Sequence, residues 1–233
     1  MLATLLLATT ILLPCQKPLP TPTGPTGPPA DKFTPDPAWK PLDKTNSLFF
    51  DVKERHLILR ARLCLREGYL EHLLCSEQTK EHESIFATKA SPRAIQAGLL
   101  LTGADKGHTV KFLPKFEAPT GSAIAITVEW LENGKTISIN AKELVQDSKT
   151  KKTIDTDWVF AGSELYPDPE DATKTLFAAD GGDLFTVANF NSAILDLPIA
   201  SSADDAARSF VANTEKLPAR NTYVTIILRP IKK

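Results

Sequence analysis

Residues 56–86 read HLILRARLCLREGYLEHLLCSEQTKEHESIF, and the first half of this stretch decides the fold class. Leu57, Leu59, Ala61, Leu63 and Leu65 fall on one side of an extended chain, while His56, Ile58, Arg60, Arg62 and Cys64 fall on the other. That period of two marks a strand with one buried face. Glu67-Gly68 interrupts the run and Tyr69 to Cys75 resumes it, so the spacing predicts a hairpin with Arg66 opposite Tyr69 and Cys64 opposite Glu71. Cys75 then lies opposite Arg60, about 13 Å from Cys64 along the ladder. A disulfide between them is disfavoured, because its Cα atoms must approach within about 7 Å. A second hairpin is expected to follow, with Ser76 to Thr79 as its loop and Lys80 to Thr88 returning. It brings His72 near Glu83 and His82 near Leu73.

Downstream, Ser91 is a good N-cap, Pro92 suits the first helical position and Gly103 supplies a left-handed stop. These signals predict one helix near residues 91–102, with Ile95, Leu99 and Thr102 on a shared face. Strands are expected at Thr109–Phe112, Ala123–Leu131 and Lys135–Ala141, the last two joined by Asn133-Gly134, a strong hairpin signal. Shorter strands are expected at Trp158–Ala161, Leu184–Ala188 and Thr222–Leu228. Tyr166–Asp171 and Ala200–Ala207 have little apolar periodicity and read as surface loops. The expected class is α+β, mainly β, with antiparallel hairpins forming a sheet or sandwich beside one helix.

Upstream, Leu2 to Leu13 is an unbroken run of apolar residues and threonine, the length of a signal-peptide core and too short to span a bilayer. No Lys or Arg precedes it. Residues 1–16 are read as a signal peptide or lipoprotein-type leader, and Cys15 as a candidate lipidation site opposed by Pro14, where a lipobox wants a small residue. Residues 17–45 are read as a Pro-rich linker, because proline fixes φ near its extended value and makes a semi-rigid spacer. Residues 46–233 are read as a single globular domain. These segments imply an exported chain, periplasmic or associated with the cell envelope, with a possible membrane tether at its N-terminus. The 27 basic and 28 acidic side chains leave a formal charge of -1, so there is no global field to attract nucleic acid.

The ionisable residues between Leu63 and Phe86 supply the metal candidates: His72, His82, Glu71 and Glu83. Imidazole with carboxylate suits zinc or another divalent ion. His82-Glu83 begins like a zincin motif, but the second histidine is replaced by Phe86. Adjacent strand residues also point to opposite faces, so His82 and Glu83 do not readily serve one ion. The competing reading is a charged hairpin with cross-strand His/Glu and Arg/Glu pairs. Gly162-Ser163-Glu164 lacks the second glycine of a nucleophile elbow. Asp180-Gly-Gly-Asp183 lacks the spaced carboxylates of a calcium loop and reads as a turn. Cys64 and Cys75 are not a Cys-x-x-Cys pair and are expected to be buried as small apolar residues.

Six ordered blocks carry a resemblance: CLREGYLEHLLC, TKEHESI, AGLLLTGADKG, WVFAGSEL, DGGDLFTVANFNSAILDLPIASS and RNTYVTIILRP. From about Leu57 to Pro230 the chain resembles the YdjY-like domain of exported bacterial proteins, in the form common among planctomycetes. The resemblance implies an envelope protein and no particular activity. Iron–sulfur chemistry attached to some relatives finds no support in three scattered cysteines. Many relatives carry a histidine in the helix where this chain has Gln96, which weakens any metal site using that position.

Two classes of function follow. The first is a non-enzymatic binding or structural module whose partner is an envelope protein, a polymer or a small ligand, with no cofactor. The second is a metal-binding protein or metal-dependent hydrolase built on the His/Glu cluster at residues 71–83.

Overall fold

The computed structural model describes residues 33–201 and 209–232. In chain order the strands are β1 (Lys40–Pro41), β2 (Leu48–Asp51), β3 (His56–Leu63), β4 (His72–Ser76) and β5 (Ser84–Thr88). The helix α1 (Pro92–Thr102) comes next, then β6 (Ala123–Glu132), β7 (Lys135–Asn140), β8 (Val145–Asp147) and β9 (Trp158–Val159). Strands β10 (Leu165–Pro167), β11 (Thr175–Phe177), β12 (Asp183–Thr186), β13 (Phe210–Ala212) and β14 (Tyr223–Pro230) complete the series. Ten of these strands form one branched sheet along the path β12-β4-β5-β3-β14-β6-β7, with β2 joined to β3, β1 to β2 and β9 to β6. The pairs β10-β11 and β8-β13 form two small ribbons. The class is α+β, mainly β, and the main sheet is antiparallel apart from the parallel pairing of β4 with β5.

Alternation explains the central strands. In β3, Leu57, Leu59, Ala61 and Leu63 enter the core, as do Ile124, Ile126 and Val128 of β6 and Val224, Ile226 and Leu228 of β14. Helix α1 covers this face with Ile95, Leu99 and Thr102 buried. Gly98 lets it approach closely: a Cβ there would lie 2.5 Å from Leu57 Cδ1. Pro92 opens the helix, and Gly103 ends it in the left-handed conformation at φ 89°. The Ser91 side chain makes no capping bond. No helix among the described residues is long and apolar enough to cross a membrane.

The expected hairpin from β3 into β4 does not form. Strand β5 lies between them, bonded antiparallel to β3 at Arg62 and Leu63 and parallel to β4 from His72 to Ser76. The cause is local to residues 64–71. Leu70 N donates to Phe210 O and Ala212 N to Gly68 O, so this segment pairs with β13 instead of turning back. In β4, His72 to Cys75 are all buried, as expected of a strand covered on both faces. The expected second hairpin is likewise replaced: Glu81–Glu83 forms a 3₁₀ turn, and the chain returns to run parallel to β4. Cys64 and Cys75 remain free thiols, buried with Ala87 of the intervening strand. Burial pushes the Cys64 thiol up to about 12.

Two further expectations change. Thr109–Phe112 forms no strand and contributes only an isolated bridge from Lys111 to Glu117. Part of the expected Tyr166–Asp171 loop is strand β10. Of Ala200–Ala207, residues 202–207 lie outside the described residues, as do residues 1–32, with the expected leader, Cys15 and most of the expected linker. The linker's last part, from Phe33, lies on the sheet: β1 pairs with β2, and Phe33 and Trp39 both contact the Phe49 ring.

Beneath β12, the fully buried Asp196 accepts hydrogen bonds at Oδ1 from Thr186 Oγ1, Asn189 Nδ2 and Leu197 N. Burial outweighs these three donors and pushes its carboxyl up to about 7. The folded state therefore keeps a proton that the unfolded chain releases near its ordinary value of 3.8. The Asp196 contribution to stability is full below about pH 4 and falls, by at most about 1.4 kcal/mol per pH unit, until about pH 7. His56 and His72, both pushed down by burial, act in the opposite sense over part of that range. The contribution is thus read as a difference: urea unfolding from pH 4 to 7.5 should show wild type losing stability relative to Asp196→Asn as pH rises. Parallel pH profiles for the two chains would contradict the assignment.

Candidate functional site

His72 opens β4 and Asp183 opens β12; the antiparallel register sets Thr186 beside His72 and Asp183 beside Cys75, and the His72 and Asp183 side chains meet across this irregular ladder. His72 Nε2 lies 2.8 Å from Asp183 Oδ1, and Lys80 Nζ lies 2.8 Å from the same oxygen. The Ser192 hydroxyl donates to Asp183 Oδ2. Phe190 stacks on the imidazole at 5.2 Å between centroids, with Lys80 Nζ 5.0 Å from the Phe190 ring centroid. Burial acts to raise the Asp183 carboxyl, but the hydrogen bonds from His72, Lys80 and Ser192 together hold it well below the usual carboxylate range. An ionised carboxylate only accepts, so the neutral His72 carries its proton on Nε2. Its Nδ1 is then an acceptor, and it is buried with no hydrogen-bond partner among the described residues.

Three of the four candidate metal ligands meet. One ligand atom from each of Glu71, His72 and Glu83 lies within 4.8 Å of the others. His82 is brought only to the margin: its side chain is 77% exposed and its Nε2 stands 3.7 Å from Glu83 Oε2. Gln96 lies elsewhere, donating to Ser163 O from α1. Ser163 itself is buried, its Oγ accepting from Ala179 N. The Ser192, Asp183 and His72 set is no nucleophilic triad, because the carboxylate stands between the hydroxyl and the imidazole.

Reasoning from sequence missed Lys80, Ser192 and Phe190, and placed Asp183 only in a turn. The available signal was the carboxylate at the start of the apolar block DLFTV, which needs a partner if the strand is buried.

A second feature lies on the outer face of β3. A cleft of about 560 Å³ is lined by Arg60, Arg62 and Lys89, with Glu77 as the acidic residue of its lining and with Phe49 and Tyr223 beside them. Arg62 Nη1 donates to Asn221 Oδ1 at 2.8 Å, and Arg60 Nη1 donates to Thr225 Oγ1 at 2.7 Å. The Arg60 guanidinium also sits 4.1 Å from the Phe33 ring centroid. Arg60 is thus held by β14 and Arg62 by the turn that leads into it.

The YdjY domain family matches residues 48–229 of the chain. This match spans the sheet from the start of β2 to Arg229 in β14, and the chain belongs to that family. Comparison with curated proteins and with solved structures gives no match.

Removing the Asp183 carboxylate leaves a buried imidazole N–H and a partly buried ammonium without their acceptor. Asp183→Ala is expected to lower stability by about 3 kcal/mol, the scale for removing one member of a buried charged pair. Ser192→Ala, which deletes a single hydrogen bond, should cost only about 1 kcal/mol. Denaturant midpoints of the two variants check this ordering, and equal losses would show that Asp183 is not the centre of the network.

Proposed function

We propose that this chain is an exported, envelope-associated YdjY domain that acts as a non-enzymatic binding module, with the cationic cleft on β3 as its binding surface. The observation that carries this reading is the cleft's charge: three cationic side chains against one acidic, in a chain whose formal charge is -1. Cations gathered in a concavity with apolar walls attract an acidic ligand more strongly than isolated surface charges do. Arg62 offers a planar fork suited to carboxylate or phosphate, and Lys89 offers a mobile point charge. Phe49 and Tyr223 add flat apolar surface for the body of such a ligand. The ligand class is therefore a carboxylated or phosphorylated molecule, and an acidic polysaccharide of the envelope fits it.

The probe for the test is polygalacturonate, titrated onto the full chain with tryptophan fluorescence as the readout, since Trp39 contacts Phe33 and Phe49 at the cleft wall. Binding should weaken as salt rises, and Arg62→Glu should weaken it about tenfold or more, with melting curves showing that the variant folds despite losing the bond to Asn221. Salt-insensitive binding, or equal affinity in Arg62→Glu, would remove the cleft from consideration.

Export is supported by the apolar run Leu2–Leu13 and the Pro-rich segment behind it. Expressed with residues 1–16, the chain should fractionate with the periplasm or envelope, and without them it should stay in the cytoplasm. An identical distribution of the two forms would refute the leader.

A further inference from the structure

The cluster at the start of β4 offers chemistry that the cleft does not use. Glu71 stands just before β4, where Val187 N and Ala188 N both donate to its carbonyl. Two donors on one carbonyl mark a bulge at Val187-Ala188, on the facing segment, and Glu71, which precedes the ladder of β4, brings its ligand atom near those of His72 and Glu83. Glu83 arrives from the 3₁₀ turn, its backbone carbonyl accepting from Glu71 N. Each of the three residues thus reaches the same place from a different backbone setting.

We propose that Glu71, His72 and Glu83 form a binding site for a divalent transition metal of the zinc class. The ligand atoms lie within 4.8 Å of one another. A second observation is independent of that grouping: His72 has a fully buried side chain whose Nδ1 has no hydrogen-bond partner among the described residues. A buried acceptor without a donor is costly, and a cation satisfies it. The other ring nitrogen donates to Asp183, the outer-shell arrangement that fixes the tautomer and orientation of metal-bound histidines. Lys80 pairs with the same outer-shell carboxylate, Asp183.

One imidazole and two carboxylates form a donor set suited to zinc. Bonds of about 2.0–2.1 Å require ligand atoms about 3.4 Å apart in a tetrahedron, so the glutamate side chains close inward when the ion binds. Glu71 and Glu83 each take part in a further interaction in this structure, which the ion must share or displace. The site therefore binds less tightly than a preformed one. Burial of His72 beneath Phe190 directs the site toward holding an ion and not toward admitting a substrate.

The probe is zinc alone, added to the full chain, with bound metal measured by mass spectrometry after dialysis and the melting midpoint followed in parallel. Wild type should retain zinc stoichiometrically and melt higher with it. Glu83→Gln and Glu71→Gln should each bind about tenfold or more weakly, with melting curves in metal-free buffer showing that they fold. His82→Ala, altering an exposed side chain outside the group, should bind as wild type. Absence of retained zinc together with an unchanged midpoint would overturn the proposal, as would wild-type binding by both glutamine variants or loss of binding in His82→Ala alone. The outcome is independent of polygalacturonate binding, because the cleft lining shares none of these residues.

Discussion

The backbone bonds that β5 makes to β3 on one side and β4 on the other are the constraint on which the arrangement depends. They displace β4 from its sequence neighbour β3 by one strand position and leave its far edge open to β12. That pairing sets Asp183 beside Cys75 in register and Thr186 beside His72, with register shifts between them, and the Asp183 carboxylate reaches the imidazole across this stretch. The connection through residues 77–83 then lays Lys80 and Glu83 over the start of β4. A β3-β4 hairpin would have put Cys64 across from Glu71 and left Asp183 without a partner.

Within that frame Asp183 does most of the electrostatic work. It is the acceptor for an imidazole, an ammonium and a hydroxyl that come from three separate stretches of chain. Each donor alone would compensate only part of the cost of burying a carboxylate. Together they keep it ionised, whereas Asp196, with three neutral donors on one oxygen, is pushed up to about 7. The contrast between these two buried aspartates follows from the deeper burial of Asp196 and from the donors of Asp183, His72, Lys80 and Ser192, which are shared between both of its oxygens.

What the sequence shows legibly is what depends on near neighbours. The alternation of β3, β6 and β14, the Asn133-Gly134 turn between β6 and β7, and the Pro92 and Gly103 boundaries of α1 are all set within a few residues. Strand β4 is different, because a strand buried on both faces shows no alternation and so carries no mark of which neighbours it has. Its fifth-strand partner and its β12 partner are chosen by bonds between distant segments. The candidate site divides the same way. Glu71, His72 and Glu83 stand out locally as ionisable residues in an apolar run, but Asp183 lies 111 residues from His72 and sits in a sequence that reads as a turn.

The two faces near β3 and β4 separate charge of opposite sign within a chain that is nearly neutral. Arg60 and Arg62 project from β3 to the outer face, Lys89 follows β5, and Glu71 and Glu83 gather at the opposite end of β4 and β5 from Lys89. The apolar cluster of Cys64, Cys75 and Ala87 lies among the strands that carry both groups. Low-dielectric packing between charged regions preserves the field of each better than water would. A net charge near zero thus conceals an uneven distribution of charged side chains, and it is strand order that keeps the arginines of β3 apart from the glutamates at the start of β4 and β5.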